Sequence, residues 1–202
     1  MNVLPLTLSG RVVRLEPLSE EHVPALAQAG RDESIWQFML FGALNSEDKM
    51  RDWVQYLLRQ QASGTDLPFT VFHLADQCAV GMTRYLDIRL ADRAVEIGGT
   101  WYAPAYQHTA VNTECKYLLL RHAFETLGCI RVQLKTDLRN ERSQRAIERL
   151  GALREGVLRD HMLLPDGTVR SSVYYSILAS EWPAVKARLE GFLDVKREGR
   201  GT

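Results

Sequence analysis

Along nearly the whole chain, apolar and polar residues either alternate or recur at helical spacing, which predicts strands and helices in mixed order. Strands are predicted at residues 11–18, 69–75, 79–86, 94–102, 130–136, 157–164 and 169–178. Helices are predicted after Ser19 and Ser46, over residues 113–127, from Asn140 to Leu150 and over residues 181–193. Only residues 195–202 lack apolar anchors, so we expect one domain over residues 1–194 and a flexible tail over 195–202.

The order of these elements indicates the fold class. A strand–helix–strand–helix stretch lies among segments rich in hairpins, and the last hairpin turns at Pro165-Asp166-Gly167. This order predicts an α/β sandwich built on a mixed sheet. Strict alternation divides the strand at 94–102 between two faces, with Val95, Ile97 and Trp101 on one and Glu96, Thr100 and Tyr102 on the other.

Composition and charge exclude several classes of protein. The 202 residues include 25 Lys and Arg and 25 Asp and Glu, so the formal net charge is zero, which argues against partners such as nucleic acid or a membrane surface. No apolar run approaches the ~20 residues of a membrane span, and residues 1–10 do not resemble a signal peptide. Cys78, Cys115 and Cys129 have no disulfide or zinc spacing, and the histidines have no ligand spacing. We therefore expect a cytoplasmic protein that needs no metal.

Two segments join a strand end to a helix start. The first runs through residues 96–102 and 106–114, where Asn112 and Thr113 are candidate N-caps of the following helix. Backbone N–H groups at a helix N-terminus lack partners within the helix, so they favour an anion. The segment predicts either an anion site or an ordinary capped helix after Pro104.

The second segment is the junction around Asn140. Asn140 is the expected N-cap, and Ser143 lies in the first turn of the helix. Three arginines recur on one face of this helix: Arg142, Arg145 and Arg149. Alone, this face is typical of a solvated surface that pairs with the acidic residues of the same helix.

Together the two segments resemble the GNAT superfamily of acyl-CoA-dependent N-acetyltransferases, and within it the RimJ/RimL-like branch. The matching motifs are Glu96-Ile97-Gly98, Trp101, Gln107, Asn140 with Ser143, and Glu148-Arg149-Leu150-Gly151. The opening strand at residues 11–18 is of the same kind, and the resemblance extends to about residue 178. It implies the GNAT acyltransferase fold, a mixed and mostly antiparallel sheet with a splayed central strand pair and flanking helices.

The resemblance also implies acetyl-CoA as co-substrate and assigns the candidate site. Glu96 is the candidate general base for the amine, and Ser143 is the candidate group beside the departing sulfur. The candidate CoA-binding residues are Trp101, Tyr102, Gln107, His108, Thr109, Ala110, Val111, Asn112, Thr113, Asn140 and Ser143. The family has glycines where this chain has Ala110 and Asn112, so a required positive φ would cost ~1 kcal/mol at Ala110.

The predicted activity is acetyl transfer from acetyl-CoA to a primary amine by direct attack in a ternary complex. The acceptor classes that stay open are a protein N-terminus, an amino acid and a small-molecule amine. The alternative for the whole chain is a non-catalytic module that binds CoA or another ligand on the same fold. The alternative for Glu96 is a solvent-facing strand residue, and for Asn140 a plain helix cap. The resemblance is compatible with a homodimer. It also places the aromatic-rich residues 36–53 over the acceptor site, although most of these residues are expected to belong to the core.

Overall fold

The computed structural model describes residues 1–164 and 166–198, with side chains described as far as residue 194. Its strands are β1 (Leu8–Ser9), β2 (Val13–Pro17), β3 (Leu67–His73), β4 (Cys78–Arg89), β5 (Ala94–Tyr102), β6 (Arg131–Asp137), β7 (Leu153–Leu163) and β8 (Val169–Leu178). They form one sheet in the order β1-β2-β3-β4-β5-β6-β8-β7. Neighbours pair antiparallel except β5 and β6, which are parallel. The predicted mixed, mostly antiparallel sheet is confirmed.

The helices follow the predicted order. They are α1 (Val23–Ala29), α2 (Glu47–Ala62), α3 (Ala110–Arg121), α4 (Glu141–Leu150) and α5 (Trp182–Glu198). Short 3₁₀ turns lie at Glu20–His22, Glu33–Trp36 and Pro104–Tyr106, and a π-helical turn at His122–Thr126 extends α3. Ser19, Ser46 and Asn140 cap the elements that follow them, as predicted, because each side chain accepts a backbone N–H of the first turn.

Two apolar clusters cover the two faces of the sheet. We call the side covered by α3, α4 and α5 the α3 face; its core contains Val111, Ile147 and Leu189 packed on the strands. The other side is the α1 face, where α1 and α2 bury Leu26 and Val54 against the sheet. Burial on both faces explains the near-continuous apolar run that predicted a buried strand at residues 69–75.

The central strands separate after three paired positions. β5 and β6 pair only over Ala94–Glu96 and Arg131–Gln133. Beyond Glu96, β5 remains paired with β4 as far as Tyr102, while β6 remains paired with β8 as far as Asp137. This is the splayed strand pair that the family resemblance implied, and it opens a split in the middle of the sheet.

A β-bulge in β5 changes which residues share a face. Arg84 pairs with Gly98 and Met82 with Trp101, so three steps along β5 match two along β4. Gly99 adopts φ +58° at this point. Strict alternation is therefore lost: Tyr102 joins Val95 and Ile97 in the α3-face core, and Trp101 joins the α1-face core. The prediction that Glu96 shares a face with Thr100 and Tyr102 is wrong.

Several boundaries differ from the sequence-based ones. The helix expected to start at residue 113 begins at Ala110, and the strand expected at 69–75 is displaced by two residues to Leu67–His73. The helix expected over 181–193 continues to Glu198, while residues 199–202 of the expected tail lie outside the described residues. Pro165 of the predicted turn also lies outside them, and Gly167 takes φ +80° beside it.

Candidate active site

The split between β5 and β6 contains a cavity of about 480 Å³. The residues that line it come from both faces of the sheet. Glu96, Arg84 and Arg170 reach it from the α1 face, whereas Thr113 and Ser143 reach it from the α3 face. The cavity therefore passes through the sheet, and two molecules that enter from opposite faces can meet inside it.

Glu96 lies at the point where the strands separate. Its side chain is 2% exposed, accepts a hydrogen bond from Gln133 Nε2 at 2.8 Å, and is 3.2 Å from Lys135 Nζ. Gln133 and Lys135 alternate with the α3-face core residues of β6, so this cluster lies on the α1 face. The alternative of a solvent-facing strand residue is wrong. Among the described residues, Glu96 is the only carboxylate that lines the cavity.

The loop before α3 forms the rim of the cavity on the α3 face. Gln107 bridges it, because its Nε2 donates to Tyr102 O at 3.0 Å and its Oε1 accepts from Arg142 at 2.8 Å. Thr109 is the N-cap of α3, since its hydroxyl accepts from Val111 N at 3.2 Å. The predicted caps, Asn112 and Thr113, lie instead within the first helical turn.

Most of the predicted CoA-binding residues line the cavity. Those that line it are Trp101, Tyr102, Gln107, His108, Thr109, Asn112, Thr113, Asn140 and Ser143. Ala110 and Val111 belong to the first turn of α3 but are buried and do not line it. Tyr102 donates to Asn112 Oδ1 at 3.3 Å, and burial raises the pKa of the Tyr102 phenol well above its usual value.

The left-handed residue of the loop is not the one that the sequence indicated. His108 has φ +60°, whereas Ala110 is not among the described residues with positive φ. Ala110 is the first residue of α3, where a negative φ is required. The condition for a cost at Ala110 is therefore not met, and the conformation that favours glycine belongs to His108.

The start of α4 contains Ser143, which the resemblance places beside the departing sulfur, and Asn140, the expected cap and CoA contact. Asn140 Oδ1 accepts from Ser143 N at 3.0 Å, which fixes the first turn with the half-buried Ser143 at the cavity. The three arginines of α4 separate in role. Arg142 bonds Gln107, and Arg149 donates to Thr113 Oγ1 at 2.6 Å, whereas Arg145 is exposed and pairs with Glu141. All three arginines are exposed, but only Arg145 pairs with an acidic residue of its own helix.

Lys116 is a cavity residue that the sequence analysis missed. It is 6% exposed, and its Nζ donates to Thr100 Oγ1 at 2.7 Å. Burial lowers the pKa of the Lys116 amine to about 8. A usable signal was present in the sequence, since Lys116 lies one helical turn after the candidate residue Thr113, on the same side of the helix.

The aromatic-rich segment before α2 divides between core and cavity. Trp36 is buried against Trp101, with ring centroids 4.9 Å apart, as expected for core. Phe38, Met39 and Phe41 line the cavity on the α1 face. The segment therefore forms an apolar wall over that entrance.

The described residues contain neither a metal-binding cluster nor a helix that could span a membrane. No group of three or more His, Cys, Asp or Glu side chains within residues 1–164 and 166–194 has the arrangement of a metal site. In the same part of the chain, no helix combines the length and the hydropathy that crossing a membrane requires.

Comparison with known families gives a match over most of the chain. Residues 13–153 match the family described as the acetyltransferase (GNAT) domain. The matched range includes the split strands, the loop before α3 and the start of α4.

Individual relatives are of the same kind. Over 113 residues the chain is 34% identical to "Putative ribosomal N-acetyltransferase YdaF" of Bacillus subtilis (strain 168), a match that covers 56% of this chain and 61% of that protein. The chain thus spans about three fifths of the curated relative it matches. A crystal structure from T. thermophilus, described as a "putative acetyltransferase", is 41% identical with TM-score 0.86, covering 96% of this chain and 100% of that one.

A more distant structure shares the fold. RimJ of Mycobacterium smegmatis, solved in complex with CoA-disulfide, is 22% identical with TM-score 0.79, covering 93% of this chain and 94% of that one. This likeness shows the fold alone. The description of YdaF as a ribosomal N-acetyltransferase is compatible with the RimJ/RimL-like branch that the motifs indicated.

Proposed function

This chain belongs to the GNAT acetyltransferase family, and we propose that it moves the acetyl group of acetyl-CoA to a primary amine by direct attack in a ternary complex. One observation carries the proposal: Glu96 and Ser143 line the same cavity from opposite faces of the split sheet. Direct transfer requires both reactants at one point, with a proton acceptor beside the amine and a proton source beside the sulfur.

CoA is proposed to enter along the α3 face. The start of α3 offers backbone N–H groups and a helix dipole to the phosphates between Gln107 and Thr113. Arg142 and Arg149 stand at the same rim and add positive charge. The pantetheine amides can pair with the strand edges that β5 and β6 leave free of each other beyond Glu96. A CoA disulfide bound to the RimJ structure supports this co-substrate.

The amine is proposed to enter along the α1 face. Alkyl ammonium groups have pKa values of about 8 to 10, so the acceptor must lose a proton before it attacks. Glu96 can take that proton directly or through one water. Phe38, Met39 and Phe41 shield this entrance, and backbone N–H groups where β5 leaves β6 can hold the tetrahedral oxyanion.

The sulfur leaves on the other side. Ser143, fixed by Asn140 in the first turn of α4, offers its hydroxyl on the α3 face. Because a serine hydroxyl is a weak acid, its role is to relay a proton or to position the thiol rather than to donate outright.

Cytoplasmic location forms part of the proposal. Cys78, Cys115 and Cys129 are free thiols in the structure. Thiols persist in reducing compartments, where disulfides are rare.

The proposal is tested by separating binding from turnover. Calorimetry with CoA and with dephospho-CoA measures binding, and release of free thiol from acetyl-CoA with a panel of amines measures transfer. The panel includes peptides with free N-termini, amino acids and small amines. We expect heat with CoA and thiol release with at least one amine. No heat in folded protein would refute the acetyltransferase, whereas heat without release with any amine would favour the non-catalytic module.

A further inference from the structure

The charges around the cavity are unequal. Among the described residues, its wall contains one carboxylate and six cationic side chains, namely Arg84, Lys116, Lys135, Arg142, Arg149 and Arg170. Lys135 is paired with Glu96. The cations of α3 and α4 lie on the face where the proposed function puts the phosphates of CoA. Arg84 and Arg170 lie on the α1 face, where the proposed function places no anionic group of either substrate.

Arg170 is buried, and none of the carboxylates within the described part of the chain forms an ion pair with it. It is 4% exposed, and its guanidinium donates to two neutral oxygens, Ser172 Oγ at 3.1 Å and Phe38 O at 3.4 Å. Its nearest acidic neighbours are already occupied. Asp137 accepts two hydrogen bonds from the Arg139 guanidinium at 3.0 and 2.8 Å, and Glu96 is held by Gln133 and Lys135. A buried cation with neutral partners is costly, and an anion that enters the cavity would offset that cost.

Arg84 presents a second unsatisfied donor. Its Nη1 is 3.1 Å from Asp66, but its Nε is buried with no hydrogen-bond partner among the described residues. The Nε lies against Gly99 in the bulge of β5, where a Cβ would stand 2.9 Å from it. The bulge glycine therefore leaves room for this buried donor, and the Arg84 side chain lines the cavity.

We infer that the acceptor amine carries a carboxylate a few bonds from its nitrogen, and that Arg170, assisted by Arg84, binds this carboxylate while Glu96 faces the amine. The inference rests on the proposed function. A guanidinium matches a carboxylate in geometry and can bind it through two parallel hydrogen bonds. The apolar wall of Phe38, Met39 and Phe41 suits an apolar side chain between the two charged groups.

Two sources could supply this carboxylate, and the experiment separates them. One is the α-carboxylate of a free amino acid; the other is an acidic side chain at the second position of a peptide. The first arm compares kcat/KM for leucine, methionine and phenylalanine with the values for their amides. The second arm compares the dipeptide amides Ser-Asp and Ser-Asn. The free amine of an amino-acid amide is less protonated at neutral pH, so a preference for the acid opposes intrinsic reactivity.

We expect the wild type to prefer the carboxylate partner by about tenfold or more in at least one arm. Arg170→Gln should abolish that preference by lowering kcat/KM for the carboxylate partner about tenfold more than kcat/KM for its amide. Arg145→Gln, which changes an exposed arginine outside the cavity, is the matched control and should preserve the preference.

Three results separate the hypotheses. Equal wild-type rates for acid and amide in both arms would overturn this inference, even if Arg170→Gln failed to fold. If Arg170→Gln lowered kcat/KM equally for acid and amide, the role of Arg170 would be to hold the backbone at Phe38 in place. That result would also overturn the inference. If none of the amines supported release of thiol from acetyl-CoA, that result would refute the proposed function instead.

Discussion

The two faces of the split sheet border the same cavity with different chemical groups. On the α1 face the polar wall consists of side chains, with Glu96 held by Lys135 and Arg170 bound only to neutral oxygens. On the α3 face much of it consists of helix starts, where Thr109 and Asn140 cap α3 and α4. Backbone donors bind phosphate whatever the neighbouring side chains are, whereas a side-chain wall selects by charge and shape. Under the proposed function, the α3 face recognises CoA and the α1 face selects the amine.

The largest expected effect comes from Glu96. Glu96→Gln should lower kcat by about 10²-fold or more, the usual contribution of a general base. Affinity for CoA should stay nearly unchanged, because Glu96 lies on the α1 face, whereas residues 107–113, which are proposed to bind the phosphates, lie on the α3 face. The defect should shrink as pH rises toward the pKa of the free amine, since a neutral acceptor needs no base. A pH–rate profile and CoA calorimetry measure both quantities.

The control for this variant is Glu141→Gln, an exposed carboxylate of α4 that lies outside the cavity. It should match wild type in rate and in affinity. If Glu96→Gln also matched wild type at every pH, Glu96 would be a structural partner of Lys135. Catalysis would then rest on positioning and backbone N–H groups alone.

Lys116 gives the next largest effect, on stability. Lowering the pKa of this amine from 10.5 to about 8 corresponds to roughly 3 kcal/mol. Lys116→Met removes that penalty but also removes the hydrogen bond to Thr100, worth about 1 kcal/mol. We expect the variant to be roughly 2 kcal/mol more stable than wild type at pH 7, as measured by denaturant unfolding.

The sign of the pH dependence makes this test specific. Between about pH 8 and 10.5 the unfolded chain holds a proton at Lys116 that the folded chain has lost, so wild-type stability gains from rising pH. The advantage of Lys116→Met should be full below about pH 8, fall to zero near pH 10 and become a deficit of about 1 kcal/mol at higher pH, where only the lost hydrogen bond to Thr100 counts. Lys49→Met, on the exposed face of α2, is the control and should show neither effect. A pH-independent difference would mean that Lys116 is not buried as a charge.

The sequence predicted the α3 face better than the α1 face, for a physical reason. Caps and first turns are local, so Asn140 and Ser143 could be located within a few residues of each other. The Glu96 cluster combines positions 37 residues apart, and Arg170 meets Phe38 across 132 residues. Local periodicity carries no signal for such pairs. Strict alternation assigns Tyr102 to the wrong face because it treats Gly98-Gly99 as regular strand, although a glycine within a strand is a common sign of a bulge.

Ser143 should give a smaller effect than Glu96, with a different pH profile. Ser143→Ala should lower kcat by about tenfold, because the departing sulfur loses a proton relay or a positioning contact. This defect should persist at high pH, since the sulfur still needs stabilisation when the amine is already neutral. Measurement on the same acceptor as Glu96→Gln makes the contrast direct. Parallel pH profiles for the two variants would contradict the assignment of amine and sulfur to opposite faces.

The smallest expected effect contrasts two neighbouring residues in the loop before α3. His108 holds φ +60°, which costs a residue other than glycine about 1–2 kcal/mol. His108→Gly relieves that strain but adds about 0.5–1 kcal/mol of chain entropy to the unfolded state. The net expectation is a gain of roughly 0.5 kcal/mol in the free energy of unfolding.

Ala110→Gly should lower the free energy of unfolding by about 0.5–1 kcal/mol, because Ala110 lies in the first turn of α3 and has no positive φ to relieve. Thermal and denaturant unfolding of both variants, beside CoA calorimetry, measures the contrast. A gain from Ala110→Gly together with a loss from His108→Gly would show that the loop bends at Ala110, as the family's glycine pattern suggests, and not at His108.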